Sequence, residues 1–282
     1  MFAKPDRPGV TVSGEMSDSE DLHGPAQLDA SPSESLSRLL SPEDPEPLIV
    51  QNAGGSSSHV LVCDHAGRCI PRRLGQLGLA PADLDRHIAW DIGAGALASR
   101  LGQALDASVV RQAYSRLVVD CNRGPEHDDL IPTVSDGTVI PGNADLSSQA
   151  MLERVAAIHA PYHAGISALL DARAGEERIT TLVSVHSFTP TMNGLARPWR
   201  VGVLHQGDSP LSNRMLALLR AEDGLCVGDN QPYAMDGIDY TIPVHAQGRG
   251  LDYLELEVRQ DLIADEAGQI RMASLLARLL RA

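Results

Sequence analysis

The chain has 282 residues, 43% of them hydrophobic but only 3% aromatic, so the core of one large domain or two small ones must be built from Leu, Val, Ile and Ala. Its formal net charge is −14, which argues against nucleic acid as the main ligand, because phosphate binding needs a basic face. Lysine occurs once, at Lys4, against 22 arginines, so the body of the chain holds neither a P-loop lysine nor a pyridoxal Schiff-base lysine.

No apolar run approaches the length needed to cross a bilayer. The opening MFAKPDRPGV lacks the apolar stretch of a secretory signal, so a cytoplasmic setting is expected. Cys63, Cys69, Cys121 and Cys226 include no CxxC pair, which predicts free thiols rather than a thiolate zinc site. No GxGxxG opens a helix, and there is no GxSxG nucleophile elbow.

Residues 1–57 are rich in Pro, Ser, Asp and Glu and end in GGSSS. Residues 1–50 alone hold ten acids against three bases and seven of the 18 prolines. This composition predicts a disordered acidic tail, with room for a short helix around Ser35–Leu40, ahead of one domain over 58–282. Within that domain HVLVCD (59–64) reads as a buried strand, and Pro81 to Leu105 as a helix with proline at its start. SVVRQ (108–112) and RLVVDC (116–121) read as strands, followed by a Gly/Pro/Asp-rich loop to about Asp145. Ser147–Ala174 is expected as a long helix broken near Pro161. TTLVSVHSF (180–188) and WRVGVLH (199–205) are further strands, then a helix over Pro210–Arg220, a strand LDYLELEVR (251–259) and a closing helix Gln269–Ala282. Strands alternating with helices predict an α/β sandwich around a mostly parallel sheet.

Ligands of open α/β sheets gather at the carboxyl ends of strands. Strand 59–64 runs into Asp64-His65, strand 180–185 into His186-Ser187, and strand 251–258 sets Glu255, Glu257 and Arg259 on one face. Two strand-end histidines with a carboxylate would form a metal site that leaves a position open for water. His87 and Asp91, four apart on the predicted helix, each offer a third ligand; alternatively they pack the helix and make a surface ion pair. Asn122-Arg123, at the end of the predicted strand 116–121, offers a fork of donors suited to a carboxylate. The competing arrangement pairs Arg123 with Asp120 or Asp128. His159 and His163 also stand four apart, with Pro161 between them.

Taken in order, VLVCDHAGRCIP, HIAWDIGA, SRLVVDCNR, PYH, TLVSVHSF and ELEVRQDL resemble the N-formylglutamate amidohydrolase family over about residues 57–265. The resemblance implies a zinc carboxypeptidase-like three-layer sandwich, with a mixed, mostly parallel sheet flanked by helices. It also implies one Zn2+ on His65, Asp91 and His186, a carboxylate clamp at Asn122 and Arg123, and a catalytic Glu257, chosen over Glu255 by the family's Glu-x-Arg pattern. Arg116 or Arg259 would hold a side-chain carboxylate, and His163 of PYH joins the substrate-binding set.

Two departures from the pattern matter. Arg68 stands three residues after His65, where carboxypeptidase-like enzymes put a metal Glu, so Asp91 takes that role with His87 in reserve. The region before the final strand is shorter than in the better-known deformylases, which allows a different acyl amino acid. The implied activity is metal-dependent hydrolysis of the N-acyl, first of all N-formyl, amide of a small acidic amino acid such as N-formylglutamate. The expected partner is that small molecule, with no nucleic acid and no membrane, and homo-oligomerisation is left open. The alternatives are a zinc amidase acting on a peptidoglycan-type amide, against which the missing export signal counts, and a non-catalytic metal- or ligand-binding module, against which Glu257 counts.

Overall fold

The computed structural model describes residues 39–207, 209–235 and 237–282. The expected disorder of residues 1–38, and the start of the short helix expected near Ser35, lie outside them; Leu39 and Leu40 are not helical.

In chain order the elements are β1 (Leu48–Gln51), β2 (His59–Cys63), α1 (Pro81–Leu84), α2 (Ala94–Leu105), β3 (Ser108–Gln112), β4 (Val134–Ser135), β5 (Thr138–Val139), α3 (Ser148–Arg154) and α4 (Ala160–Gly175). There follow β6 (Thr181–Phe188), β7 (Thr191–Met192), β8 (Leu195–Ala196), β9 (Val201–Leu204), α5 (Pro210–Arg220), β10 (Val227–Asp229), α6 (Thr241–His245), β11 (Asp252–Arg259) and α7 (Glu266–Leu280). Seven strands form one sheet in the order β1-β3-β2-β6-β11-β9-β10. The pairs β3/β2, β2/β6, β6/β11 and β9/β10 are parallel, whereas β1 runs antiparallel to β3 and β9 antiparallel to β11. The sheet is therefore mixed and mostly parallel.

Parallel strands covered on both faces read as continuous apolar runs, and HVLVC and TLVSV do so. Alternation along each strand then sorts these side chains into two cores. Val60, Val62, Val110 and Leu182 enter one core with Ile158, Tyr162 and Ile166. Leu61, Val109, Val183, Val185, Leu254 and Leu256 enter the other, closed by Leu97 and Leu101 of α2, Leu216 of α5 and Leu276 of α7. The result is three layers, helices on both sides of the sheet.

Three expectations need correction. The end of the presumed tail is built into the fold: β1 pairs with β3 from Leu48↔Gln112 to Gln51↔Val109. Leu39 is buried, Tyr114 donates its hydroxyl to the Pro45 carbonyl, and the amide of Arg72 donates to Asp44. The acidic average of the first 50 residues hid the short apolar run LIV.

The predicted helix Pro81–Leu105 is two helices separated by residues 85–93. The Asp91 amide donates to the carbonyl of His65 at 2.9 Å instead of continuing a helix. Gly93 takes φ +82°, where a Cβ would sit 2.2 Å from the Ile263 carbonyl oxygen, so only glycine fits this turn.

The predicted strand 116–121 is a chain of turns, with the Val118 amide on Ser115 and the Arg123 amide on Asp120. Its apolar residues Leu117, Val118 and Val119 are buried beneath the sheet, and burial on all sides gives the same pattern as a core strand. The helix over 147–174, expected to kink or break near Pro161, is unbroken but deformed there: a π-helical turn, Val155–His159, joins α3 to α4 just before Pro161. This widening suits a residue that has no N–H and whose ring crowds the preceding turn. Among the described residues no helix is long and apolar enough to cross a membrane.

Candidate active site

The polar residues cluster where the parallel strands end. Register places Ser184 beside Glu255 and His186 beside Glu257. This face of the sheet, apolar at Leu182 and Tyr253, turns polar two residues on. β2 delivers Asp64 and His65 to the same end.

His65, Asp91 and His186 are all buried and offer one ligand atom each within 4.8 Å of one another. The Nδ1 of His186 lies 2.9 Å from Asp91 Oδ2, and the Nδ1 of His65 lies 3.5 Å from the same oxygen. The two rings pack edge to face with centroids 5.0 Å apart. Both outer nitrogens are held. His65 Nε2 meets Asp120 Oδ1 at 2.6 Å, and His186 Nε2 meets Ser184 Oγ at 2.9 Å and Asp64 Oδ2 at 3.5 Å. Arg116 in turn grips Asp120 through Nε (3.1 Å) and Nη2 (2.7 Å), and its Nη1 stands 3.5 Å from Asp91.

Donating Nε2–H to Asp120 leaves the His65 Nδ1 lone pair facing inward, and that atom is buried without a hydrogen-bond partner. Buried polar atoms are normally satisfied. An orphaned imidazole nitrogen beside a carboxylate and a second imidazole fits a divalent cation, and a carboxylate on the far ring nitrogen is the usual support of a ligating histidine.

The charges are arranged accordingly. Burial pushes the Asp64 carboxyl up, but the His186 hydrogen bond and the His186 and His65 charges bring it down to about 2. Burial likewise opposes ionisation of Asp91 and Asp120, and their histidine and, for Asp120, arginine partners hold both below the ordinary carboxylate range. Glu257 goes the other way. Burial pushes it up to about 7, with His186 opposing the shift and Asp91 adding to it. Its Oε2 is buried without a partner. Glu255 is raised well above the ordinary range by burial and by Asp239.

These groups face a cavity of about 400 Å³ whose walls include Phe188, Met192 and Tyr233 and whose lining includes Asp129, Asp136 and Asp239. Behind Glu257, a Cβ on Gly202 would fall 2.1 Å from the Gln231 carbonyl oxygen, so strand β9 approaches this closely only with glycine there.

Of the residues singled out from sequence, His65, Asp91, Arg116, Asn122, Arg123, His186 and Glu257 all line this one cavity. His87 lines it too, but its Nε2 faces Asp136 at 3.5 Å and it stands outside the three-residue cluster.

Asn122 is fixed in the cavity wall, Oδ1 accepting from the Tyr240 and Thr241 amides and Nδ2 donating one of its two hydrogens to Asp239. Two residues depart from expectation. His163 is away from the cavity lining, bonded to His245 and the Cys121 carbonyl. Arg259 forms a two-point pair with Asp261 and donates to the Arg197 carbonyl. The support that Asp64, Asp120 and Ser184 give to the two histidines is not among the sequence expectations. Each lies within two residues of a singled-out residue, and that adjacency was the available signal.

Residues 57–264 match the model of the N-formylglutamate amidohydrolase family. A gene product from Agrobacterium tumefaciens of known structure is 38% identical, with 86% of this chain and 97% of that chain covered and a TM-score of 0.84. The N-formylglutamate amidohydrolase from Ralstonia eutropha JMP134 is 17% identical, with 83% of this chain and 95% of that chain covered and a TM-score of 0.62, a likeness of fold. Among curated proteins nothing matches.

Proposed function

The chain belongs to the N-formylglutamate amidohydrolase family, and from that premise we propose that it is a metal-dependent amidohydrolase acting on the N-acyl, first of all N-formyl, amide of a small acidic amino acid such as N-formylglutamate. The observation that carries this reading is the buried convergence of His65, Asp91 and His186 beside an unpartnered Glu257 carboxyl. His65 and His186 through Nδ1, and Asp91 through a carboxylate oxygen, would hold one divalent ion, zinc in first place. When bound, such an ion supplies a Lewis acid that polarises the acyl carbonyl and acidifies water.

The chain's own groups do the rest. Glu257, poised near 7, takes a proton from the attacking water and returns it to the departing nitrogen. The acyl C–N bond breaks, the water oxygen stays on the acyl carbon, and the amino acid leaves as its amine. Arg123, whose buried Nε has no partner, takes the α-carboxylate of the substrate. Arg116 and Asp120 keep His65 in the right tautomer. Phe188, Met192 and Tyr233 give the cavity an apolar wall. The proposed setting is the cytoplasm, which suits four unpaired thiols.

Metal analysis of the purified protein, followed by a panel of N-formyl and N-acetyl amino acids assayed for released amine, tests the proposal. About one equivalent of metal and turnover of an acidic N-formyl amino acid are expected. His186→Ala should lose the metal while keeping the fold by circular dichroism. A metal-loaded protein that released no amine from any member of the panel would overturn the assignment.

A further inference from the structure

A substrate with two carboxylates needs two cationic partners, and the cavity lining offers only part of that. Arg116 is held by Asp120 through two nitrogens and stands 3.5 Å from Asp91. Arg123 donates to the Asn122 carbonyl at 2.9 Å and stands 3.8 Å from Asp239, which leaves its buried Nε for one carboxylate. Other cations close by are also matched by acids: Arg86 meets Asp83 and Asp136, and Arg259 is paired at two points with Asp261.

Arg197 differs. Its guanidinium lies 4.8 Å from the centroid of the Tyr233 ring and 5.9 Å from that of Phe188, and it donates to the Tyr233 hydroxyl at 2.9 Å. Both rings are walls of the cavity, and Arg197 lies against them, outside the lining itself. Among the described residues Arg197 forms no ion pair. Its backbone is fixed on both sides, the amide donating to the Pro190 carbonyl at 2.8 Å and the carbonyl accepting from Arg259 Nη1 at 3.1 Å. The two-point pair that seemed to waste Arg259 therefore anchors the residue next to the aromatic wall.

We propose that Arg197 is the specificity-determining residue that receives the side-chain carboxylate of an acidic N-acyl amino acid, a role that rests on the amidase reading above. Stacking on aromatic faces holds a guanidinium in a fixed plane without consuming its in-plane donors. One edge bonds the Tyr233 hydroxyl, and the planar fork has further N–H groups for a carboxylate. A neutral side chain of the same length would leave that charge without a partner. The cavity then discriminates between acid and amide at its aromatic wall, away from the residues that hold the metal.

The test compares zinc-loaded wild type with Arg197→Gln on N-formyl-L-glutamate and its near-isostere N-formyl-L-glutamine. The ratio of their kcat/KM values is expected to favour the acid in the wild type. It should fall about 10–100-fold in the variant, the scale of one charge-assisted contact. A ratio that did not move, whether both substrates slowed together or neither did, would overturn the role of Arg197. A second arm measures binding of L-glutamate and L-glutamine to both proteins by calorimetry, with loss of the preference for glutamate expected in Arg197→Gln. A wild type that released amine from no member of the N-acyl panel would sink the amidase reading, and the calorimetric arm would still decide whether Arg197 selects a carboxylate.

Discussion

His65 depends on groups outside the three-residue cluster: Asp120 holds its Nε2 at 2.6 Å, and Arg116 holds Asp120. Asp120→Asn keeps the shape of this support but removes its charge, so metal affinity should fall about 10–100-fold, as is usual when such a partner is lost. A competitive chelator titration reads this directly, and an unchanged affinity would reduce Asp120 to a packing residue. At Glu257, Gln substitution should leave metal content intact and lower turnover by about 10²–10⁴-fold. Glu255→Gln, on the same face but with register beside Ser184 rather than His186, should be far milder, and reversed effects would make Glu255 the base. Much of this was legible in the sequence. A histidine closing an apolar run at a strand end needs a polar reason to be there, and His65 and His186 both had one. The duty of His163 was not legible, because its partner His245 lies 82 positions away and no local spacing encodes it; Arg259 pairs with Asp261 two positions on, but its bond to the Arg197 carbonyl spans 62 positions.

Among the elements, β6, β9 and β11, with α5 after β9 and α7 after β11, were legible from their apolar runs and turn signals. The misread elements have separate causes, and for residues 116–121 the cause is that burial on all sides erases periodicity. Leu117, Val118 and Val119 are as apolar as a strand, yet this stretch turns to bring Asp120 to His65. His87 and Asp91 seemed to share a helical face, but Gly93 and the Asp91 amide on the His65 carbonyl stop any helix from passing through. The same tertiary logic governs β1. Deleting everything before Ser58 would strip β1 from β3 and remove the buried Leu39 and the packed Leu48 from the core. With roughly 1.5–3 kcal/mol for each fully buried aliphatic side chain, a loss of about 2–5 kcal/mol is expected in urea denaturation. An unchanged midpoint would return residues 39–57 to the status of a tail. Gly202→Ala should also be costly. Its Cβ would meet the Gln231 carbonyl oxygen at 2.1 Å, so β9 and the Gln231 backbone must move apart, at about 1–3 kcal/mol; a variant as stable and active as the wild type would show that this contact yields freely.

At the scale of the whole molecule, the α/β class followed from the alternation of strands and helices, but the assembly also rests on a buried histidine pair that composition could not announce. His163 Nε2 donates to the Cys121 carbonyl at 2.8 Å, so its Nδ1 must accept from His245 Nε2, also at 2.8 Å. This chain of bonds works only while His163 is neutral, because a proton added on its Nδ1 would face the N–H of His245. Burial, reinforced for His163 by the neighbouring His159, brings His163 down to about 3, and burial brings His245 down to about 4. An unfolded histidine titrates near 6.5. Between about 4 and 6.5 the unfolded chain therefore binds more protons than the folded one, and stability must rise with pH across that window. The contribution is fully present above about 6.5 and is lost as the pH falls, on the order of 2 kcal/mol for each ring by pH 5. Asp64, Asp91 and Asp120, all lowered in the fold, weaken the protein at still lower pH, so the histidine share must be isolated by a difference. His245→Gln keeps a donor toward His163 and cannot take up a proton. Urea midpoints from pH 8 to pH 5 should fall more steeply for the wild type than for this variant, even if the variant starts lower. Parallel curves would mean that the pair does not set the acid limit.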